Sequence, residues 1–494
     1  MYKKRILQGL ALFIIFWILL PAAIVTGGSL LGGIIFNEPV KVLGKVLAAI
    51  GFTFSMIASS YLITDGGGGP MFCCPPKKLV RCGPFSMCRH PIYLGFSLYI
   101  SGLSLSYSNL GSLASSLTFS ALTFIYALTI EERKLKETFP EYEEYRKNTP
   151  AFFPKLPKKD DRCPPLLFNF LFFVGHIVQW FTWDIRFEKE CEVPEEGFVV
   201  VSNHVTYLDF AVVVYTISRF ISFPVSLFHY ERHKWLYKNV GSFPISRHKP
   251  DVKAIVKMIS FVKKGGRLGI FPESERSWDG RFLGFKEGFE KLLSKLPKPY
   301  VGLRIEKAHL LFPRWGKRFY PGKVFVKVKC FDDPKKLEEF LSKPSVDEND
   351  TYASYKGVEN YVYMCPRCGS VESLKSSKDG ITCKSCGFSL KKPSAGTLWK
   401  IRENLKERLS IPFTDHADIL NPYGKVLEKN VKVTMHEDHI DIGKRRIDKD
   451  EVKAFLLEGR REVFIYDGKE MIGMKFKKSS ALLWNDLYEK FWKE

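Results

Sequence analysis

FVVVSNHVTYLDF, residues 198–210, decides the reading of this chain. Phe198 to Ser202 is a short β-branched run, the pattern of a strand buried on both faces. The run ends at Asn203-His204, and Asp209 follows five residues after His204. On a regular helix that spacing would set the two side chains about 140° apart. They meet only if the chain turns off the strand before a helix begins, and a strand end is where open α/β sheets bind ligands. A neutral imidazole there can take the proton from an attacking hydroxyl. A carboxylate on its other nitrogen fixes the tautomer and stabilises the imidazolium. No Gly-x-Ser-x-Gly elbow is present, so direct attack on a thioester is simpler than an acyl-enzyme. Taken alone, such a pair also fits a core histidine beside a helix-capping aspartate, so the neighbouring motifs must decide.

Two further strand-like runs follow. GSFPISRHKPD (241–251) presents Arg247, and RLGIFPESERSWDGRFLGFKEG (267–288) carries Glu273, Arg276 and Lys286 around an Asp279-Gly280 turn signal. Strand ends bearing His/Asp, Arg and Glu/Arg would converge on one crevice, and arginine matches a phosphate bidentately. In this order, NHVTYLD, FPISR and FPESERS resemble three motif blocks of the lysophosphatidic-acid and glycerol-3-phosphate acyltransferases, over roughly residues 164–330. The resemblance implies an α/β glycerolipid acyltransferase domain with His204 and Asp209 catalytic. It also implies Arg247, Glu273 and Arg276 around the acceptor phosphate, which Lys286 would join by its place after the third block, and acyl-CoA or acyl carrier protein as donor. Ser274 stands where the family has glycine, Glu275 stands where it has a hydroxyl residue, and the fourth block is blurred at Pro299–Gly302. These departures touch the acceptor more than the reaction class.

Upstream, residues 1–130 are mostly apolar and poor in charge, and residues 1–154 read as one membrane-embedded domain. Runs at Leu7–Val25, Leu43–Ile63, Ile92–Tyr107 and Leu110–Ile130 each approach the roughly 20 residues that cross a bilayer. Four spans are expected, with the basic loops and all soluble parts on the cytoplasmic side of a cell membrane. Arg89-His90 and Glu131-Glu132 fall at that face, where ionisable groups are costly unless they serve a function. RHPIYLG followed by a span and Glu131-Glu132 resembles the isoprenylcysteine carboxyl methyltransferases and phospholipid N-methyltransferases. The resemblance implies an S-adenosylmethionine site formed by His90, Tyr93, Gly95, Glu131 and Glu132. Sterol reductases, which use NADPH, share a similar Arg-His-Pro segment.

Downstream, KLPKKDDRCPP (155–165) reads as a linker, Leu166–Trp183 as a helix lying on the bilayer, and 331–361 as a helix and linker. Cys365, Cys368, Cys383 and Cys386 form two Cys-x2-Cys knuckles, with fourteen residues between them. Four thiolates at this spacing suit a closed, structural Zn2+ site in a ribbon spanning 362–392. Cys73, Cys74, Cys82 and Cys88 cluster without regular spacing. With eleven cysteines in 494 residues, reduced thiols are expected rather than a disulfide framework. Residues 395–494 alternate short strands and end in a helix, a small β-rich, pleckstrin-like domain. The net charge of +22 suits an anionic membrane, phosphorylated substrates or nucleic acid, and the apolar N-terminus favours membrane phospholipids as partners. No P-loop or dinucleotide fingerprint is present. The rival class is a non-catalytic, membrane-tethered zinc-ribbon binding protein built on decayed enzyme domains.

Overall fold

The computed structural model describes all residues except 1–10, 12, 69–75, 108, 157–159, 161, 180–181, 248–250 and 494. Cys73, Cys74 and the start of the first apolar run therefore lie outside the described residues. The chain forms two compact units, Met1–Phe173 with Ser218–Phe220, and Val174–Ile217 with Ile221–Glu494.

The first unit is helical. Among the described residues two helices are long and apolar enough to cross a membrane, Glu38–Thr64 and Leu110–Thr138. Of the other two expected spans, Ile15–Ser29 is a shorter apolar helix among the described residues, and Pro91–Tyr107 has 17 residues. Glu38–Thr64 and Pro91–Tyr107 pack through small residues. A Cβ on Gly44 would lie 2.7 Å from the Gly102 carbonyl oxygen, and one on Gly95 would lie 2.7 Å from that of Gly51. Close backbone approach of this kind replaces hydrophobic driving force between apolar helices. Hydroxyls add polar contacts: Ser104 Oγ meets Ser116 Oγ at 2.7 Å, and Ser112 Oγ donates to the Val25 carbonyl at 2.8 Å.

The second unit opens with a five-stranded sheet. Its strands are β1 (Trp183–Lys189), β2 (Val199–Ser202), β5 (Leu268–Ile270), β6 (Tyr300–Glu306) and β7 (Gly322–Phe331), in the order β1-β7-β6-β2-β5. A separate parallel pair, β3 (Pro224–Ser226) and β4 (Phe243–Ile245), lies in the same unit. β2 is an interior strand, parallel to both neighbours, and all four of its residues are buried. Trp183 opens β1, so the helix expected at Leu166–Trp183 ends earlier, at Gln179.

The expectation of reduced thiols is corrected by two disulfides, Cys82–Cys163 and Cys191–Cys330. The second continues the parallel β1–β7 register, in which every partner lies 139 residues on, as Cys330 does from Cys191. Such pairings join residues far apart in sequence, which local spacing cannot display.

The ribbon is an antiparallel sheet of β8 (Leu374–Ser376), β9 (Gly380–Cys383) and β10 (Ser389–Lys391). A seven-stranded antiparallel sheet follows, β11 (Phe413–Leu420), β12 (Val426–Met435), β13 (His439–Ile442), β14 (Arg445–Asp448), β15 (Ala454–Leu457), β16 (Glu462–Tyr466) and β17 (Met471–Phe476). The helix Ala481–Tyr488 packs with this sheet, burying Trp484 among Phe413 and Phe476. One apolar cluster runs from Trp278 and Trp315 through Tyr352, Tyr355 and Tyr361 to Val433 and Trp484. Much of the stretch read as a linker is thus a buried strap, because its tyrosines and Val346 and Val358 need cover.

Candidate functional site

The strand β2 delivers the chain to Asn203, whose buried amide donates to the Ile305 carbonyl at 2.9 Å and accepts from the Ile305 N–H at 2.8 Å. This double bond fastens the end of β2 to β6 and sets where the loop departs. The helix that follows starts only at Asp209, so residues 203–208 are free to fold back. His204 Nδ1 then lies 2.8 Å from Asp209 Oδ2. The same oxygen accepts from the N–H groups of Val205 at 2.6 Å and Thr206 at 2.8 Å, and Oδ1 accepts from the Thr206 hydroxyl at 2.6 Å. A fully buried carboxylate is tolerable only with this degree of satisfaction. With Nδ1 engaged, Nε2 is the ring nitrogen left to exchange a proton.

The His204 ring stacks on Phe271 at 4.2 Å between centroids. Burial lowers its pKa, Asp209 opposes the shift, and the charges of Arg276 and Arg314 add to it. The imidazole is therefore held neutral, the state that can accept a proton.

Glu273 is fastened to the backbone on both sides of the site. Its Oε1 accepts from the His204 N–H at 2.6 Å and its Oε2 from the Leu283 N–H at 2.9 Å. Burial pushes its pKa well up. With one backbone donor on each oxygen, Glu273 holds the His204 loop. Arg276 is buried over the face of Tyr207, 3.1 Å from guanidinium carbon to ring centroid. Burial and the neighbouring Arg314 push its pKa down to about 10, and its Nη1 has no hydrogen-bond partner among the described residues. An unpaired buried guanidinium nitrogen is costly, and an anionic ligand would satisfy it.

Arg247 is half-buried and donates from Nη1 to Glu458 Oε1 at 3.0 Å, while His229 Nε2 lies 2.8 Å from Glu458 Oε2. His229 and Arg247 follow β3 and β4, whose parallel pairing brings them together. Glu458 comes from the β15–β16 turn, more than 200 residues later. Lys286 is exposed.

Two site residues carried no sequence signal. Arg314 is buried, donates from Nη1 to Glu275 Oε2 at 3.0 Å and from Nη2 to the Leu457 carbonyl at 3.2 Å, and lies over Trp278 at 4.6 Å. Glu275, a departure from the family pattern, is therefore the partner of a second arginine. His309 is buried, its Nδ1 3.3 Å from the Val205 carbonyl, and burial pushes its pKa down to about 4. Both lie just after β6, close downstream of Pro299–Gly302, where the fourth block was sought.

In the helical unit, Glu132 is buried and fully engaged. Its Oε1 accepts from Arg89 Nη2 at 2.7 Å and lies 3.1 Å from His90 Nε2, and its Oε2 is 3.3 Å from Arg146 Nε. Glu131 Oε2 is buried with no partner among the described residues. Tyr93 packs edge-on against His90 at 5.9 Å between ring centroids, and Gly95 lies in the helix seam against Gly51 and Ser55.

In the ribbon, all four sulfurs of Cys365, Cys368, Cys383 and Cys386 lie within 4.8 Å of one another. Cys365–Cys386 and Cys368–Cys383 are 3.6 and 3.7 Å apart. Zinc–sulfur bonds of about 2.3 Å in a tetrahedron give edges of about 3.8 Å, so the thiolates fit the ion.

Comparison with known proteins matches the two units and the ribbon separately. Residues 184–306 match the acyltransferase family, residues 40–142 the phospholipid methyltransferase family, and residues 358–390 a zinc-ribbon family described as DNA directed RNA polymerase, 7 kDa subunit. The cobalt-zinc-cadmium resistance protein CzcN of Cupriavidus metallidurans is 42% identical over 80 residues, 16% of this chain and 37% of that protein. The 1-acyl-sn-glycerol-3-phosphate acyltransferase BAT2 of Brassica napus, chloroplastic, is 28% identical over 145 residues, 28% of this chain and 41% of that protein. The chain thus spans about two-fifths of the length of these relatives. The solved structure of the acyltransferase PlsC of Thermotoga maritima aligns with 20% identity and a TM-score of 0.30, covering 46% of this chain and 90% of that one.

Proposed function

From this fusion of a phospholipid-methyltransferase-family segment, an acyltransferase-family segment and a zinc ribbon, we propose a membrane-bound glycerolipid O-acyltransferase with a second, methyl-transferring head. The observation that carries the reading is the His204–Asp209 contact of 2.8 Å beside the unsatisfied Nη1 of buried Arg276. The acceptor hydroxyl attacks the thioester carbonyl of acyl-CoA or acyl carrier protein, and His204 Nε2 takes its proton. Asp209 stabilises the imidazolium. The carbon–sulfur bond breaks, the thiolate leaves, and the imidazolium returns the proton to sulfur. Arg276 binds the acceptor phosphate, and Arg247 joins it when Glu458 releases it. Arg314 orients the Arg276 segment through its carbonyl.

In the helical unit, S-adenosylmethionine would supply an electrophilic methyl group when bound. Glu131, with an open carboxylate oxygen, would take its ammonium or ribose hydroxyls, with Tyr93 and His90 alongside. Glu132 positions Arg89 and His90. Four spans in the cell membrane, basic loops inside, would give both heads substrate from one leaflet.

The test is acyl transfer from a labelled acyl thioester to lysophosphatidic acid in detergent or vesicles. His204→Ala is expected to abolish product, and Asp209→Asn to lower the rate at least a hundredfold, with unchanged circular dichroism. Retained turnover in His204→Ala would reject the assigned base.

A further inference from the structure

We propose a second divalent-metal site in the C-terminal sheet, formed by His436, His439 and Asp441 and separate from the cysteine ribbon. The β12–β13 hairpin builds it. The His436 N–H donates to the His439 carbonyl at 2.8 Å, closing a two-residue turn at Glu437-Asp438. His436 thus faces His439 across the hairpin, and Asp441 lies two residues along β13, on the same face as His439. The imidazoles stack, centroids 4.3 Å apart and planes within 10°. The indole of Trp492 donates to the His436 carbonyl at 2.9 Å and fastens the hairpin to the terminal helix.

The donor atoms converge without hydrogen-bonding one another. His436 Nε2 is 3.4 Å and His439 Nε2 is 3.5 Å from the same Asp441 Oδ2, and one donor atom from each of the three residues lies within 4.8 Å of the others. These separations exceed the usual hydrogen bond of about 2.7–3.2 Å. They match the edge of a tetrahedron with metal–ligand bonds of about 2.0–2.1 Å, which is about 3.3–3.4 Å. On its other side, His439 Nδ1 lies 2.6 Å from Asp438 Oδ1. A neutral imidazole has one N–H. If Asp438 holds it on Nδ1, Nε2 keeps its lone pair free for a metal, which a small rotation of the ring would aim at the shared centre. Carboxylate–histidine–metal relays are built this way. Arg446, opposite Asp441 in the sheet, pairs with Asp438 and Asp448, at 3.3 and 3.0 Å. It therefore orients the outer carboxylate.

Two imidazoles and one carboxylate select zinc, nickel, cobalt or copper over magnesium and calcium. The His436 and Asp441 side chains are 34% and 42% exposed, so a fourth position opens to solvent, unlike the closed ribbon.

The experiment uses untagged full-length chain, stripped with chelator, reloaded with zinc and dialysed, with metal measured by mass spectrometry. Wild type is expected to hold one equivalent more than His436→Asn/His439→Asn. Cobalt loading reports folding, since the thiolate charge-transfer band of the ribbon stays unchanged in that variant. Cys365→Ser/Cys368→Ser should lose that band yet keep the imidazole-bound cobalt. Equal zinc content in wild type and the folded histidine variant would overturn the proposal. Should the histidine variant lose the thiolate band, Asp441→Ala replaces it, with loss of the same equivalent expected and unchanged zinc content overturning the site.

Discussion

Glu458→Gln separates two roles for Arg247. In the wild-type chain Glu458, 6% exposed, takes the Arg247 guanidinium at 3.0 Å and His229 at 2.8 Å. Burial raises its carboxyl pKa, but the His229 hydrogen bond and the Arg247 charge outweigh that and hold it below the ordinary range, so it is ionised at neutral pH. If Arg247 serves the acceptor phosphate through the same Nη1, that phosphate must displace this carboxylate. A charge-assisted hydrogen bond is worth about 1.5–3 kcal/mol, and a neutral one about 1 kcal/mol. Replacing carboxylate by amide therefore weakens the competitor by about 1–2 kcal/mol, a factor of about 5–30. The acceptor KM, measured with saturating acyl thioester, should fall by that factor while the donor KM stays constant. Glu458→Ala would instead leave a half-buried guanidinium and an imidazole without their partner, and should cost about 3–5 kcal/mol of stability. An unchanged or raised acceptor KM in folded Glu458→Gln would refute the competition and leave Arg247 as a tether for the C-terminal sheet.

Ser274 adopts φ +60, the left-handed region where glycine carries no penalty. Ser274→Gly should stabilise the chain by about 1 kcal/mol, read from chemical denaturation. Depressed by burial, the His204 pKa sets the acidic limb of kcat/KM below the ordinary value of about 6.5. Activity is present while the ring is neutral and is lost as pH falls through the folded pKa. Removing the cation in Arg276→Gln should move that limb to higher pH, whatever the loss of acceptor binding. In the helical unit, Glu131→Gln should weaken S-adenosylmethionine binding in calorimetry with little change in melting. Glu132→Gln removes a charge held by Arg89, His90 and Arg146, and should destabilise the unit by about 3–5 kcal/mol.

Local pattern carried the parts of this molecule that local chemistry determines. Val199–Ser202 reads as a buried strand, because a short β-branched run before a polar turn leaves no solvent face, and it is one. Its end brings His204 and Asp209 together because Asp209 also caps the backbone of Val205 and Thr206, contacts made within six consecutive residues. The cysteine knuckles were legible for the same reason.

What escaped the sequence depends on distance along the chain. Glu273 reads as a ligand beside Arg276, and the N–H groups of His204 and Leu283 each hold one of its oxygens. Glu458 and Arg314 reach the arginine-rich side of the site from segments with no motif. The hairpin histidines were hidden differently. His436 and His439 are three residues apart, which on a helix would also bring them together, and only the turn at Glu437-Asp438 puts Asp441 on their face. Charge balance links these cases: Arg247, Arg276 and Arg314 cannot share one half of a crevice unless carboxylates accompany them. Glu275 and Glu458 supply that charge, each from a position where no phosphate-binding motif would have one. If an acceptor phosphate binds among these arginines in competition with Glu458, its binding should fall as ionic strength rises less steeply than three free arginines would give.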